Sequence, residues 1–157
     1  MRLFFASWPP AAVAEALSRW AQGARQACGG RATPRERIHL TLAFLGAADA
    51  QAAKRLAQAI RLPRCGFLLE QSRYWAHNRI VWVGPAETPP ALAALAAALG
   101  EQDRFAAHVT LLRKARKPRA LPALPALDWP VEEFTLVSSV PGPQGPAYEV
   151  LGRYALQ

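Results

Sequence analysis

Cysteine is scarce in this sequence: Cys28 and Cys65 are the two present among 157 residues. Two thiols without a C-x-x-C spacing build neither a disulfide framework nor a thiolate metal site, and a reducing cytoplasm is the expected compartment. Long apolar runs are missing as well. The most hydrophobic window, Pro89–Gly100, falls well short of the roughly 20 residues a membrane helix needs, so no membrane partner is expected. The opening MRLFFASWPP has too short an apolar stretch before its prolines to read as a signal peptide. The chain contains no G-x-S-x-G, no GxxxxGK[ST] and no G-x-G-x-x-G. Their absence argues against a serine-hydrolase elbow, a P-loop and a dinucleotide fingerprint. Acid is short too: 11 Asp and Glu stand against 19 Lys and Arg, a formal net charge of +8. All the basic residues except Lys54, Lys114 and Lys117 are arginine. Arginine grips phosphate oxygens in pairs, so the excess points to polyanionic ligands, although GC-rich coding also raises Arg and Ala.

What is present is a globular composition, 52% hydrophobic and 19% charged. The length suits one domain, residues 1–157, with a core that needs no staples. Arg2–Ser7 reads as a strand, and Pro9-Pro10 opens a helix that runs to about Cys28 and stops at Gly29-Gly30. A basic loop over 31–37 leads to a strand Ile38–Leu45, in which Leu40, Leu42 and Phe44 share one face and His39, Thr41 and Ala43 the other. Ala47–Leu62 is predicted helical, anchored by Leu56 and Ile60. Cys65–Tyr74 and Arg79–Val83 read as a hairpin around His77-Asn78. Thr88 is the predicted cap of a helix to Gly100, followed by a strand Phe105–Leu112, a Pro-rich stretch 113–128, and strands Val131–Val140 and Ala147–Leu156. Helices alternate with strands, but the hairpins demand antiparallel pairing, which makes the fold α+β.

The chemistry resides in an internal echo. His39-Leu40-Thr41-Leu42 and His108-Val109-Thr110-Leu111 share one pattern, one copy in each half. In a strand, residues i and i+2 point the same way, so each copy presents an imidazole beside a hydroxyl. If the halves pack about a pseudo-twofold axis, two imidazoles face one ligand. In-line displacement at a phosphodiester needs just that: a base behind the nucleophile and an acid on the departing oxygen. Thr41, Thr110 and Arg113 supply donors for the charged phosphate oxygens. Arg113 also begins a run with five basic residues in seven, Arg113–Arg119, suited to holding RNA. His77 has no partner motif and reads as a surface residue. Trp75 and Trp82 read as core ahead of base-stacking platforms. No metal ligand set is spaced correctly.

These strings carry a resemblance. RLFFAS at Arg2–Ser7, IHLTLAFLG at Ile38–Gly46, IVWVG at Ile80–Gly84 and RFAAHVTLLR at Arg104–Arg113 resemble the RNA 2′,3′-cyclic phosphodiesterases, also named 2′-5′ RNA ligases, of the two-histidine phosphoesterase superfamily. The likeness spans essentially the whole chain. It implies a bilobal fold: two pseudo-symmetric lobes of antiparallel sheet plus helices around a central cleft. It implies hydrolysis of an RNA 2′,3′-cyclic phosphate to a 2′-phosphomonoester with no metal or nucleotide cofactor; a monomer acting on RNA or an oligonucleotide with such an end is expected. In it His39 is the proton donor, His108 the proton acceptor, and Thr41, Thr110 and Arg113 bind substrate. The same site would join such an end to a 5′-hydroxyl. Family members commonly have proline before the second motif; here it is Ala107. Two alternatives stand beside this reading: a phosphodiesterase for small cyclic nucleotides or ADP-ribose cyclic phosphate, and an RNA-end binder without turnover.

Overall fold

A computed structural model describes residues 1–157. Ten strands and three helices follow one another in an α+β arrangement in which every strand pairing is antiparallel. The first four-stranded sheet has the order β10 (Ala147–Ala155), β9 (Glu133–Val140), β1 (Arg2–Ser7), β3 (Leu40–Gly46). The second has the order β2 (Arg31–Ala32), β7 (Val109–Arg113), β6 (Ile80–Gly84), β5 (Gln71–Trp75). A small third sheet pairs β4 (Cys65–Leu69) with β8 (Leu127–Val131). The helices are α1 (Ala11–Cys28), α2 (Ala50–Gln58) and α3 (Pro90–Ala98). None is long and apolar enough to cross a membrane. One cluster of 31 buried residues draws on both large sheets and α1, from Leu3 and Phe5 through Leu17 and Trp20 to Leu111 and Phe134.

The two motif strands are built alike, and the likeness goes deeper than the sequence pattern. In β3, Thr41 lies opposite Ala6 and Ala43 opposite Phe5, so Leu42 has no partner. In β7, Thr110 lies opposite Trp82 and Leu112 opposite Val81, so Leu111 has none. Each strand therefore bulges at the last residue of its motif. A bulge places two successive side chains on one side and reverses the alternation beyond it. Leu42 and Ala43 are accordingly both buried, as are Leu111 and Leu112. The next residue in each strand is turned back to the motif's open face: Phe44, 74% exposed, in β3 and Arg113 in β7. The simple alternation expected for β3 is thus corrected: Phe44 leaves the core face and Ala43 joins it.

Other expectations need correction as well. His39 and His108 each sit one residue before their strand, not within it. The single strand expected over Cys65–Tyr74 is two strands in different sheets; the chain changes partners at Glu70, whose N–H donates to the Gly84 carbonyl and whose carboxylate accepts from Ala86 N–H. The hairpin around His77-Asn78 is β5–β6. α2 is shorter than Ala47–Leu62, and it buries Ala53 and Ala57 where Leu56 was expected; Leu56 is 38% exposed. The 31–37 loop holds a short strand and a 3-10 turn, Arg35–Arg37. Pro130 falls within β8, which the sequence assigned in part to the Pro-rich stretch; a two-stranded sheet tolerates proline because both its strands are edges.

β2 ties the two halves together. Arg31 and Ala32 pair with Arg113 and Leu112, and Thr33 continues the contact through its N–H to the Leu111 carbonyl and its hydroxyl to the Thr110 carbonyl. The chain leaves the edge of β7 at Thr33, makes the 3-10 turn and arrives at His39. Gly30 permits this passage: its φ is +86°, and a Cβ there would lie 2.5 Å from the Arg113 carbonyl oxygen.

Candidate active site

Both histidines are oriented by the same backbone device. The Nδ1 of His39 lies 2.6 Å from the carbonyl oxygen of Arg37, and the Nδ1 of His108 lies 3.0 Å from that of Ala106. A carbonyl only accepts, so each Nδ1 carries the hydrogen and each Nε2 is the nitrogen free for proton transfer. The Nε2 of His39 is 3.1 Å from the Thr41 hydroxyl, the i+2 neighbour that the pattern predicted. No matching bond joins Thr110 to His108. Thr110 instead lies directly across from Trp82 on the neighbouring strand.

The two rings have different surroundings. His39 stacks on Phe4 at 5.2 Å, tilts against Trp8 at 5.3 Å and meets the edge of Tyr148 at 5.6 Å. Enclosed by three rings, with only a strip left open, its charged form is poorly solvated, and burial pushes its pKa down to about 4. The Arg37 carbonyl works in the opposite direction, while the Arg113 guanidinium and His108 add to the depression. Arg113 and His108, from the other large sheet, are thus within electrostatic reach of His39. His108 lies 4.8 Å from the Trp75 ring and 6.1 Å from Trp82, and Trp75 in turn neighbours His77 at 5.8 Å. Arg113, turned to this face by the bulge, also bears on Tyr148, as does Arg37; burial pushes the Tyr148 phenol up.

Sequence reasoning missed the aromatic walls. Phe4, Trp8, Phe44 and Tyr148 surround the first motif; Trp75 and Trp82 flank the second. Trp82, read as core from the sequence, is indeed buried, at 8% exposure, while Trp75, also read as core, is half-buried; both lie beside His108. His77 is exposed, as expected, yet it is one ring away from that histidine. Only the cross-strand register, Phe4 opposite Phe44 and Trp82 opposite Thr110, could have indicated this, and register is set by pairings far apart in sequence. Arg37 was also missed; it contributes a carbonyl to His39 and a charge beside Tyr148.

Ala107 has its own local anchor. Its N–H donates to the Thr88 hydroxyl at 3.0 Å. Thr88 therefore does not cap α3, whose N-cap residue, Pro89, makes no side-chain bond. Where proline would fix the backbone before His108, this chain has a part-buried hydrogen bond. A Cβ on Gly84 would lie 2.7 Å from the Ala107 carbonyl oxygen, so β6 also approaches this segment closely. A cavity of about 750 Å³ between α3 and residues 101–106 has Ala106 on its wall and is lined by neither His39 nor His108.

No group of three or more His, Cys, Asp and Glu side chains is gathered where a metal ion would be held. What the arrangement offers is two imidazoles from two sheets, each with Nδ1 held by a backbone carbonyl, the first beside the Thr41 hydroxyl and within electrostatic reach of Arg113 and of the second. That is equipment for acid/base chemistry on an anionic group.

Known proteins share this frame. The family model described as LigT like phosphoesterase matches residues 8–82. An RNA 2′,3′-cyclic phosphodiesterase of Escherichia coli is 35% identical, with 99% of this chain and 96% of that protein covered. A protein of the same description from Thermus thermophilus is 35% identical over all of this chain and 91% of its own length. The crystal structure of E. coli LigT superposes with a TM-score of 0.89 at 35% identity, covering 99% of this chain and 97% of that one. The same protein has been crystallised with phosphate and with 3′-AMP. Fold and comparisons together define the class, a phosphoesterase of α+β architecture. The chain belongs to the LigT-like phosphoesterase family.

Proposed function

We propose that this chain hydrolyses RNA 2′,3′-cyclic phosphate ends to 2′-phosphomonoesters, the activity for which its relatives from E. coli and T. thermophilus are named. The observation that carries this is the matched pair of histidines, each held by Nδ1 on a carbonyl two residues upstream and each followed by threonine, bulge and open-face residue. All 157 residues act as one two-lobed unit, which the shared 31-residue core supports.

The cyclic phosphate lies between the lobes with its free oxygens on Arg113, Thr41 and Thr110. His108 Nε2 takes a proton from water as the water oxygen attacks phosphorus. The P–O3′ bond breaks on the opposite side, and His39 Nε2–H gives its proton to the departing 3′ oxygen. In the free protein His39 is neutral at pH 7, because burial holds its pKa near 4. The acid is therefore charged on substrate binding. The anionic phosphate favours the imidazolium, and the Arg37 carbonyl already solvates its Nδ1–H. Phe44, exposed beside Phe4 at 6.0 Å and on the same face as His39, offers a platform for the terminal base.

RNA is favoured over a small cyclic nucleotide by the basic turn after β7. Arg113, Lys114, Arg116, Lys117 and Arg119 are all exposed, and the turn is fixed: Ala115 is buried, with its carbonyl accepting from Tyr74 and Arg79. Turnover of a mononucleoside 2′,3′-cyclic phosphate against an RNA oligomer with the same terminus tests this. Faster kcat/KM on the oligomer supports the RNA reading. A preference for the mononucleoside favours the small-nucleotide enzyme, and binding without turnover makes the protein an end binder.

A further inference from the structure

The carbonyl of Arg37 orients His39, but its guanidinium has no part in that contact. Arg37 ends the 3-10 turn Arg35–Arg37, and the two arginines of that turn differ. Arg35 pairs with Glu15 at 2.9 Å. Arg37 is half-buried, belongs to neither ion pair of the protein and donates no side-chain hydrogen bond. A guanidinium has five N–H donors and no acceptor, so a partly desolvated one with no carboxylate paired to it suits an incoming anion. Its place is fixed from the side of the first sheet. The turn between β9 and β10 packs against it: a Cβ on Gly145 would lie 2.8 Å from the Arg37 Nη1. Gly145 has a φ of +101°, and its N–H donates to the Gly142 carbonyl. Glycine alone combines that backbone with so close an approach. Three residues on, Tyr148 meets the edge of His39 at 5.6 Å and Phe4 at 5.3 Å. Both Arg113 and Arg37 bear on the Tyr148 phenol and oppose the rise that burial gives its pKa. The wall beside His39 thus has two guanidinium groups within electrostatic reach, one from β7 and one from the turn before β3. A single phosphate at Arg113 occupies only the first.

In-line displacement leaves the ribose of the terminal nucleotide on the departing side, toward His39. The 5′ carbon of that ribose carries the preceding phosphate of an RNA strand, one sugar away from the reacting phosphorus. We infer that the Arg37 guanidinium is a second phosphate site, which takes the 5′-phosphate of the terminal nucleotide while Arg113 holds the cyclic one, so that the protein discriminates 5′-phosphorylated ends from bare nucleosides. The inference rests on the phosphodiesterase reading above. It assigns Arg37 to recognition, since its side chain touches none of the reacting atoms. The ligand chemistry is a phosphate at C5′, either a terminal monoester or the diester that continues the strand. Arg37 would then set specificity from a place in the chain remote from the basic turn after β7.

The test compares three substrates in the full chain: adenosine 2′,3′-cyclic phosphate, the same compound with a 5′-monophosphate, and the dinucleotide ApA with a 2′,3′-cyclic phosphate end. kcat and KM are measured separately. The expected result is a KM roughly tenfold lower for the phosphate-bearing substrates, the worth of one charge-assisted hydrogen bond, with kcat little changed. In Arg37→Met, which keeps an apolar stem and removes the charge, the ratio of KM between bare and 5′-phosphorylated substrate should fall to near one. Arg37→Lys should keep part of it, because a point charge replaces the fork. Both substrates are measured in the same protein, so any disturbance of His39 cancels from the ratio. A gain confined to one phosphate-bearing substrate, and lost in Arg37→Met, supports the inference and names that one as the source, terminal monoester or strand diester. Equal KM for all three substrates in the parent chain would overturn the inference and leave the phosphodiesterase reading standing. So would a preference that Arg37→Met retains, which would assign the 5′-phosphate to another cation. No turnover of any of the three would end the phosphodiesterase reading, and this inference with it.

Discussion

His39 sits among Phe4, Trp8 and Tyr148, and burial there lowers its pKa to about 4. The stability consequence has a definite sign. Unfolded, the imidazole takes up its proton below about pH 6.5; folded, it resists until about pH 4. Folding therefore loses stability as pH falls through this window, by about 3 kcal/mol from this residue near the lower end. Urea denaturation of the parent and of His39→Asn between pH 7 and 4 should show the parent losing that extra amount, and parallel curves would contradict it. The kinetic consequence follows from the same ring. Removing either histidine should lower kcat about 10²–10⁴-fold, with a double variant far less than additive. The residual kcat/KM of His108→Ala, left with His39 as acid, should fall as pH rises through about 4. A residual rate that instead rises through that pH would exchange the roles of the two histidines.

At the scale of elements, the bulges at Leu42 and Leu111 explain why an odd spacing works. Arg113 is five residues after His108, which in a regular strand would put them on opposite faces; the bulge restores it to the His108 face. The repeated motif, the α+β class and β1, α1, β9 and β10 were largely legible, because local periodicity and Pro or Gly punctuation specify them. The bulges, the partner change at Glu70 and the aromatic walls were not. They depend on which strand lies opposite, and that is decided by pairings between residues such as Thr110 and Trp82. Thr88 is a second instance: Thr before two prolines reads as a helix cap, yet its hydroxyl accepts from Ala107 N–H. Thr88→Val leaves the N–H of the buried Ala107 without its part-buried partner, at a cost of about 1 kcal/mol. It should also lower kcat, since the Ala106 carbonyl that orients His108 belongs to the same segment. A thermal melt and a rate constant check both; an unchanged rate would show that His108 needs no such anchor.

The molecule as a whole carries a net charge of +8, and its two ion pairs, Arg35–Glu15 and Arg153–Glu133, are exposed ones that use only two of the cations. Arg113, Lys114, Arg116, Lys117 and Arg119, the exposed cations of the turn after β7, are in neither pair. Affinity for an RNA oligomer should therefore fall with salt, with a log–log slope of about −0.7 for each single-strand phosphate neutralised, and affinity for a mononucleoside cyclic phosphate should fall much less. Equal slopes would mean the basic turn does not touch the strand. The most direct test of the central claim is mass analysis of the product from an RNA oligomer ending in a 2′,3′-cyclic phosphate, turned over in ¹⁸O-labelled water with excess chelator. The account predicts a 2′-phosphomonoester with one labelled oxygen, formed at full rate by the parent chain and severely slowed in His39→Ala and in His108→Ala. A 3′-phosphate product, loss of activity to the chelator, or an undiminished rate in either variant would contradict it.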